Sequence, residues 1–529
     1  MQTQVLIIGA GVTGTGLARD LALRGVSCIV VDKKDVNAGA SGGNHGLLHS
    51  GARYIATDPA SARECQIENQ VLKSLAPHCI EETGGIFAAV VGDDENYIAD
   101  FAAACGRCDI PVSALGIKEA REMEPALSDK LIAAFAVNDA TIDPFKLALD
   151  NMAYAQGRGS RLLPFTRVTG FELDSGGGIC RSRIRDELTG RDSHIEADVV
   201  VNAAGAWAGI IAGFASAAVE LRYSKGTLLV TQNRISQRVV NRLRRATDGD
   251  ILAPGGTVSI LGTTSQRVDS PDEIYPEVNE VDAIISEGAA MMPELAETRY
   301  IRAYCGVRPL IGENGKSAGE GDDRSVSRGY ELIDHSLEAN PIGNFITITG
   351  GKLTTYRLMA EKTADLVCRR LGLNTTCSTR SKPLPNTVAA RWTEPGLAPN
   401  HWLRKKKAND MMLCECEMVS QSVVAEIVAA IQKQGARPTL ESIGLRSRIG
   451  KGPCQGTFCS QQLSAYLYDN HYIDNHKGPA DLRSFLQERW RGQQPLLWNH
   501  SLAQAELLEA MHCGLFSIDL AADDNETPA

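Results

Sequence analysis

The sequence of 529 residues lacks any long hydrophobic run. No stretch approaches the roughly 20 consecutive apolar residues that a membrane-spanning helix requires. The N-terminus also lacks the basic start of a signal peptide, and its first apolar run leads directly into a glycine turn. These absences predict a protein that stays in the cytoplasm.

An excess of positive charge is absent as well. The chain carries 54 Lys and Arg against 64 Asp and Glu, so its formal net charge is −10. This balance argues against nucleic acid as a partner, although it leaves room for a local basic pocket. A hydrophobic content of 43% is usual for a globular protein, and the length predicts more than one domain.

Most of the 14 cysteines stand apart from one another, which suits a reducing compartment. Cys105 and Cys108 form a C-x-x-C pair on an alanine-rich predicted helix, and we interpret them as incidental thiols. The remaining clustered cysteines form two close pairs with 37 residues between the pairs, and they are Cys414, Cys416, Cys454 and Cys459.

Four thiolates in two close pairs are able to wrap a soft metal centre. The glycine-rich segment 450–456 would supply backbone amides to the sulfur atoms. A structural zinc ion also suits four cysteines. Zinc sites favour C-x-x-C over the C-x-C spacing of this chain, so the pattern favours an iron–sulfur cluster, with zinc as the alternative.

The first 32 residues have the pattern of a dinucleotide-binding β-α-β unit. A buried strand over residues 4–8 precedes a glycine turn, a helix runs to about Arg24, and a second buried strand covers residues 28–31. The turn and the helix N-terminus would hold a pyrophosphate, and an acid after the second strand would accept from a ribose hydroxyl. The residues of this motif are Gly9, Gly11, Gly14 and Asp32.

Two later apolar strands each lead into a glycine turn, as expected of further strands in the same nucleotide-binding domain. They cover residues 198–202, before Gly205, and residues 345–349, before Gly350. The intervening chain alternates strand and helix patterns and predicts a separate domain that covers the substrate. Its predicted elements are strands at 219–230 and 258–267 and a helix at 280–291.

A glycine-rich run at residues 41–54 follows the dinucleotide motif and contains His45, His49 and the pair Arg53–Tyr54. Glycine lets the backbone approach a ligand closely. Histidine exchanges protons near neutral pH, and arginine binds anions through a planar fork of donors. The run therefore predicts redox chemistry on a small anionic substrate beside a flavin.

These motifs together resemble the FAD-dependent glycerol-3-phosphate dehydrogenases, a branch of the D-amino-acid-oxidase-like flavoproteins. Within that branch the chain is most similar to the catalytic, A-type subunits of the anaerobic bacterial enzymes. The cysteine spacing resembles that of bacterioferritin-associated-ferredoxin-like domains, which carry a 2Fe-2S cluster. The segments that carry the resemblance are the N-terminal glycine turn, residues 44–54, 304–310 and 349–357, the four-cysteine module, and residues 485–490.

The resemblance implies a role for each site residue. FAD would be held by Gly9, Gly11, Gly14, Asp32, Ser41, Gly205 and Gly350. The substrate phosphate would be held by Arg53, Tyr54, Arg308 and Lys352. His49 would lie beside the flavin. By its chemistry His49 is a candidate base, and Arg308 or Lys352 would stabilise the developing alkoxide. Plainer alternatives remain open: a structural hydrogen bond for His49, orientation of the loop by His45, a strand-ending role for Arg308, contact with the flavin for Lys352, and a strand-edge position for Lys225.

The implied activity is oxidation of sn-glycerol 3-phosphate to dihydroxyacetone phosphate, with electrons passing through an iron–sulfur centre to quinone. The family works with a second, B-type subunit and a membrane-attached, C-type iron–sulfur subunit, so we expect peripheral attachment to the cytoplasmic face of the inner membrane. FMN is a candidate cofactor of the whole complex. Two alternatives are an amine or opine-type amino-acid dehydrogenase of the same fold, and an electron-transfer module without its own substrate.

The expected fold is an α/β Rossmann-like FAD domain interrupted by a mixed α+β cap, followed by a small helical iron–sulfur domain. The FAD domain would comprise residues 1–75, 145–218 and 326–380, and the cap residues 76–144 and 219–325. The remaining predicted parts are a linker at 381–410, the 2Fe-2S domain at 411–468, and a helical tail at 469–529 with a disordered end from residue 523.

Overall fold

The computed structural model describes residues 1–272, 274–311, 329–390, 392–393, 397–405, 407–474 and 477–518. The strands, in chain order, are β1 (Gln2–Ile8), β2 (Cys28–Val31), β3 (Leu47–Leu48), β4 (Ile80–Glu81), β5 (Gly85–Val90), β6 (Val112–Leu115), β7 (Leu131–Val137), β8 (Ala140–Ile142), β9 (Arg161–Leu163), β10 (Thr166–Leu173), β11 (Ile179–Asp186), β12 (Asp192–Asn202), β13 (Leu221–Thr231), β14 (Val239–Arg242), β15 (Ile251–Gly255), β16 (Val258–Gly262), β17 (Gln266–Val268), β18 (Tyr300–Ile311), β19 (Tyr330–Asp334), β20 (Phe345–Gly350), β21 (Met412–Cys414) and β22 (Val419–Ser420). The α-helices are α1 (Val12–Leu23), α2 (Pro59–Leu75), α3 (Glu95–Arg107), α4 (Ile117–Met123), α5 (Pro144–Gln156), α6 (Ala208–Gly213), α7 (Val278–Met291), α8 (Tyr356–Arg370), α9 (Leu397–Lys405), α10 (Gln421–Lys433), α11 (Leu440–Arg446), α12 (Cys459–Asp469), α13 (Gly478–Gln493) and α14 (Asn499–Phe516).

A parallel sheet forms the centre of the first layered unit. Strand β1 lies between β2 and β12, β9 extends the sheet beyond β2, and β20 pairs with β12, all in parallel. Strand β19 closes one edge in antiparallel register. Strand β11 pairs with the first half of β12, and β10 pairs with β11, both in antiparallel register. Helices α1, α5 and α8 pack on one face. Burial on both faces explains the continuous apolar runs of β1 and β2 and matches the predicted Rossmann-like unit.

The second unit is a nine-stranded mixed sheet. Strands β17 and β16 pair with successive parts of one edge of β13, and β18 pairs along its other edge. From β16 the sheet continues in the order β15-β14-β5-β7-β6. Its strands come from two separate stretches of the chain, and helix α7 packs against it. The predicted strand at 219–230 and helix at 280–291 correspond to β13 and α7.

The prediction of one continuous strand at 258–267 is wrong. Strand β16 ends at Gly262, and β17 begins at Gln266. In the gap, the Thr264 hydroxyl accepts a hydrogen bond from the Thr227 amide at 2.9 Å, so a side chain replaces the backbone ladder. In this gap the Thr263 hydroxyl and the Thr264 carbonyl oxygen accept hydrogen bonds from the guanidinium group of Arg308.

A third, mainly helical unit follows. Helices α10 to α13 and the short β21–β22 hairpin enclose a hydrophobic core of their own. A buried ion pair between Arg446 and Asp35 fixes this unit to the parallel-sheet unit. The predicted linker at 381–410 is not wholly irregular, because it contains α9. The predicted helical tail at 469–529 contains α13 and α14, and its expected disordered end lies outside the described residues.

Candidate active site

A cavity of about 1600 Å³ opens at the carboxyl ends of the parallel strands, where open α/β sheets usually bind their ligands. All three units contribute to its walls. The predicted site residues that line it are Gly9, Gly11, Asp32, Ser41, His49, Arg53, Tyr54, Gly205, Arg308, Gly350 and Lys352, together with His45. The fold thus brings together residues more than 300 positions apart in the sequence.

The glycine turn is shaped for close approach of a ligand to the backbone. Gly9 has a φ of +110°, and a side chain there would overlap the carbonyl oxygen of Ala203. A methyl group at Gly11 would lie 2.8 Å from the Ser41 hydroxyl oxygen, which accepts from the Val12 amide at 3.0 Å. The N-terminus of α1 therefore faces the cavity with backbone amides that favour a pyrophosphate.

Gly14 does not line the cavity, in contrast to the other glycines of the motif. It lies in the first turns of α1, where a side chain would overlap the carbonyl oxygen of Gly9. Its role is therefore to let the helix pack tightly against the turn, and its effect on a bound cofactor is indirect.

Asp32 follows β2 and lies at the cavity wall. Its carboxylate accepts from the Ala10 amide at 2.7 Å and from the Lys34 amide at 2.9 Å, while burial raises its pKa. Each carboxylate oxygen keeps a second lone pair, so Asp32 can still accept from a ribose hydroxyl. Sequence reasoning missed the nearby clamp in which Asp272 binds Lys33 and the Trp207 indole N–H, both at 2.7 Å.

Gly205 follows the parallel strand β12, and Gly350 is the last residue of the parallel strand β20. Their φ angles are +56° and +80°, values that favour glycine. The Thr349 hydroxyl donates to the Gly205 carbonyl oxygen at 3.0 Å and joins the two turns. Both glycines consequently form one edge of the cavity, next to Gly9.

The predicted phosphate-binding residues converge from three elements. Arg53 lies on a short 3-10 turn, and its Nη2 atom is 2.8 Å from Asp250. Arg308 lies within β18, where its guanidinium group donates to Thr263 and to the Thr264 carbonyl oxygen. The expectation that Arg308 ends a strand is wrong, because β18 continues to Ile311.

Lys352 completes this group of cations. It follows the Gly350–Gly351 turn, and its Nζ atom lies 4.6 Å from the ring centre of Tyr54, in cation–π geometry. Arg53, Arg308 and Lys352 all line the cavity, where they could bind an anionic substrate.

His49 lies between these cations and the flavin-binding turn. Its Nε2 atom is 3.2 Å from the Tyr54 hydroxyl, and its backbone amide donates to the Thr354 hydroxyl at 3.1 Å. Burial, followed by the charges of His45, Arg53 and Lys352, holds the pKa of His49 well below its ordinary value. The imidazole is therefore neutral near pH 7, as a proton acceptor must be.

His45 faces the same cavity, with its ring centre 6.1 Å from that of His49. Burial and the charges of Arg308 and Arg53 lower its pKa to about 3. Its Nδ1 atom is buried and has no hydrogen-bond partner in the part of the chain that the structure describes. His45 is thus a direct neighbour of the reacting region as well as a member of the loop.

The structure contradicts the predicted strand-edge position of Lys225. It lies on β13 between β17 and β18, so it is not a strand-edge lysine. Its Nζ atom lies 3.0 Å from Glu277 and 2.9 Å from Glu280 in a largely buried ion pair. The expectation that Lys225 is not a ligand agrees with its position outside the cavity lining.

The four clustered cysteines lie together in the helical unit. The Sγ atoms of Cys414 and Cys416 are 3.7 Å apart, as are those of Cys416 and Cys454, and Cys459 contacts Cys414 and Cys454. Cys414 and Cys459 are buried, whereas Cys416 is exposed. Hydrogen bonds from neighbouring thiols, aided by the Gly456 and Phe458 amides, lower the pKa of Cys454. Such N–H···S contacts suit thiolate ligands of a metal centre.

The sequence matches the family described as FAD dependent oxidoreductase over residues 4–366. It is 40% identical to the A subunit of the anaerobic glycerol-3-phosphate dehydrogenase of Escherichia coli (strain K12), over 99% of this chain and 98% of that protein. The chain belongs to this family of FAD-dependent oxidoreductases. A further member, the A1 subunit of the Haloferax volcanii enzyme, is 38% identical over 97% of this chain and 91% of its own.

The family fold agrees with the solved glycerol-3-phosphate dehydrogenase of Bacillus halodurans, which was crystallised with FAD. That structure covers 94% of this chain and 97% of its own, with a TM-score of 0.64 at 21% identity. The predicted α/β fold and family are therefore confirmed. FAD fits the cavity of this chain, because the glycine turn at Gly9 and Gly11 and the N-terminus of α1 line it with backbone amides that suit a pyrophosphate.

Proposed function

We propose that this chain is the catalytic subunit of a quinone-linked glycerol-3-phosphate dehydrogenase, which oxidises sn-glycerol 3-phosphate to dihydroxyacetone phosphate. The observation that carries the proposal is the shared cavity in which His49 lies beside Arg53, Arg308 and Lys352, next to the glycine turn. Curated relatives at 36–40% identity over almost the whole chain are named for this activity.

The cations would bind and orient the substrate. A phosphate dianion suits charge-assisted hydrogen bonds from Arg53 and Arg308, and Lys352 adds a third positive charge. Fixing the phosphate in this way would place the neighbouring C2 hydroxyl near His49. FAD, when bound, supplies the two-electron acceptor that takes the hydride from C2.

His49 would accept the proton of the C2 hydroxyl while the hydride leaves. Its lowered pKa keeps the imidazole neutral in the free protein, and the negative charge of the phosphate would offset the repulsion from Arg53 and Lys352. The Tyr54 hydroxyl, 3.2 Å from Nε2, would hold the ring in place until the substrate arrives. Arg308 or Lys352 would stabilise the developing alkoxide.

The cysteines Cys414, Cys416, Cys454 and Cys459 would hold a 2Fe-2S cluster, with zinc as the alternative occupant. Such a cluster supplies one-electron transfer, which a dehydrogenase needs to reach a quinone through partner proteins. The backbone amides directed at Cys454 support this assignment over unligated thiols. FMN stays a candidate cofactor of the whole complex.

The proposed partners are a B-type subunit and a membrane-attached C-type iron–sulfur subunit. The relatives are named as A subunits, which supports an assembly of several chains. Among the described helices none is both long and apolar enough to cross a membrane. We propose peripheral attachment through these partners; exposed Leu507, Met511 and Leu515, spaced four residues apart on α14, support contacts outside this chain.

A substrate profile tests the activity. We expect a high kcat/KM with glycerol 3-phosphate and an artificial electron acceptor, because binding of the phosphate depends on three cations. Glycerol, which lacks the phosphate, should be at least 100-fold poorer. A higher kcat/KM with an amino acid or an opine than with glycerol 3-phosphate would replace this proposal by the amine dehydrogenase alternative.

A further inference from the structure

The loop of residues 450–456 contributes to both the flavin cavity and the four-cysteine cluster. Lys451 and Gln455 line the cavity. Gly452 faces the opposite side, where a methyl group would lie 2.6 Å from the Cys416 sulfur, and Cys454 belongs to the sulfur cluster. Adjacent residues of one loop thus serve two separate sites.

Lys451 places a cation in this loop. Its Nζ atom donates to the Ser447 carbonyl oxygen at 2.7 Å and lies 4.9 Å from the ring centre of Phe145. Phe145 itself lines the cavity and packs against the position of Gly42 in the glycine-rich run. The lysine charge therefore lies beside a residue that lines the flavin-binding region.

The surroundings of Lys451 destabilise its charged form and so lower its pKa. Burial, then the charge of Arg448, lowers its pKa to about 7, and Asp143 and Glu417 oppose that decrease only in part; Arg302 lowers it further. Glu417 is already paired with Arg448 at 2.7 Å. A buried lysine without a full counter-charge is stabilised by any negative charge that develops close to it.

We propose that Lys451 is an electrostatic element of electron transfer, which stabilises the negative charge that reduction adds to the flavin cavity and, across the same loop, to the cysteine site. The inference rests on the proposed function only for the occupant of the cysteine site. For the flavin cavity it rests on the position of Lys451 in the wall. The third, mainly helical unit would thus help to set the reduction potential of the flavin.

The test is a redox titration of the flavin in the full-length holoprotein at pH 6, below the pKa of Lys451. We expect Lys451→Met to decrease the equilibrium constant for flavin reduction about tenfold, which is ~30 mV for two electrons. Lys451→Arg should stay near the wild-type value. Lys433→Met, which removes an exposed cation from α10 in the same unit, should leave the potential unchanged.

An unchanged potential in Lys451→Met, or an equal shift in Lys433→Met, would overturn the proposal. If Lys451→Met does not retain FAD, Gln455→Glu replaces it, because a carboxylate in the same wall should lower the flavin potential in the same direction; no shift there also overturns the proposal. Iron analysis of the same samples separates the role of Lys451 at the flavin from the proposed 2Fe-2S cluster. Absence of iron rejects the cluster and leaves the flavin result valid.

Discussion

Asp250, the residue before β15, binds Arg53: its Oδ2 atom lies 2.8 Å from Arg53 Nη2, and its Oδ1 atom lies 2.9 Å from Arg244. Asp250 is fully buried, so its negative charge is bound firmly between two guanidinium groups. Arg53 is therefore an oriented cation and not a mobile one. Phosphate recognition would depend on this pair as well as on Arg53 itself.

Arg53→Ala should raise the KM for glycerol 3-phosphate by about 10- to 100-fold, because a charge-assisted bond to the phosphate is lost. Asp250→Asn should raise KM by a smaller factor, since Arg53 keeps its charge but loses its orientation. Steady-state kinetics measure both effects. Arg181→Ala, on the exposed face of β11, is the control; an unchanged KM in Arg53→Ala removes Arg53 from the phosphate site.

His49→Gln should lower kcat by 100-fold or more, because the proton acceptor is lost while the side chain keeps a similar volume. Since the pKa of His49 lies well below 6.5 in the substrate-free protein, its ring should not titrate near pH 6.5 before substrate is added. An NMR titration of the histidine signals without substrate, with His49→Gln to assign the signal, checks this. A His49 midpoint near pH 6.5, or a kcat of His49→Gln close to wild type, contradicts the assignment.

The same lowered pKa affects stability. Below pH 6.5 the unfolded chain binds a proton at His49 that the folded chain does not bind, so the free energy of unfolding should decrease as the pH falls. His49→Gln removes this contribution, and the difference in stability between pH 7 and pH 5 should shrink by about 1 kcal/mol or more. Denaturant unfolding at the two pH values measures it; an unaltered difference would argue for an ordinary pKa.

Gly11→Ala should reduce FAD retention by at least tenfold. The added methyl group would lie 2.8 Å from the Ser41 hydroxyl oxygen and would disturb the amides at the start of α1. Gly106→Ala, on α3 with open space around the position, is the matched control and should retain FAD fully. The flavin-to-protein absorbance ratio after gel filtration measures FAD retention. Equal FAD retention in both variants would exclude the glycine turn from cofactor binding.

Anaerobically purified protein should contain iron and acid-labile sulfide, and Cys454→Ser should lose both. Cys180→Ser, which alters an exposed cysteine on β11 outside the cluster, should retain them. Metal analysis by mass spectrometry provides the measurement. Zinc in place of iron would show that the four cysteines form a structural site.

The local patterns of the sequence predicted the parts of the fold that short-range physics controls. The strand, glycine turn and helix of residues 4–24 form because apolar runs and glycines act over a few residues. The motif Asn44–Tyr54 likewise placed His49 and Arg53 close together. Lys352 and Arg308 could be assigned only through the family resemblance, since nothing in their own neighbourhood requires them to share a cavity.

The features that the sequence did not reveal depend on long-range packing. Arg446 and Asp35 are 411 residues apart, and no local pattern indicates that they form the buried pair that joins two units. The position of Lys451 in the cavity wall follows from that joining. The break between β16 and β17 was missed because Thr264 replaces a backbone hydrogen bond with its side chain, which the apolar pattern does not register.

The most direct test of the proposed activity is the absorbance of the bound flavin under anaerobic conditions as glycerol 3-phosphate is added to the purified protein. We expect rapid bleaching with glycerol 3-phosphate, far slower bleaching in His49→Gln, and none with glycerol. Protein that contains FAD and keeps its flavin oxidised after addition of glycerol 3-phosphate would contradict the assignment of this chain as the catalytic subunit.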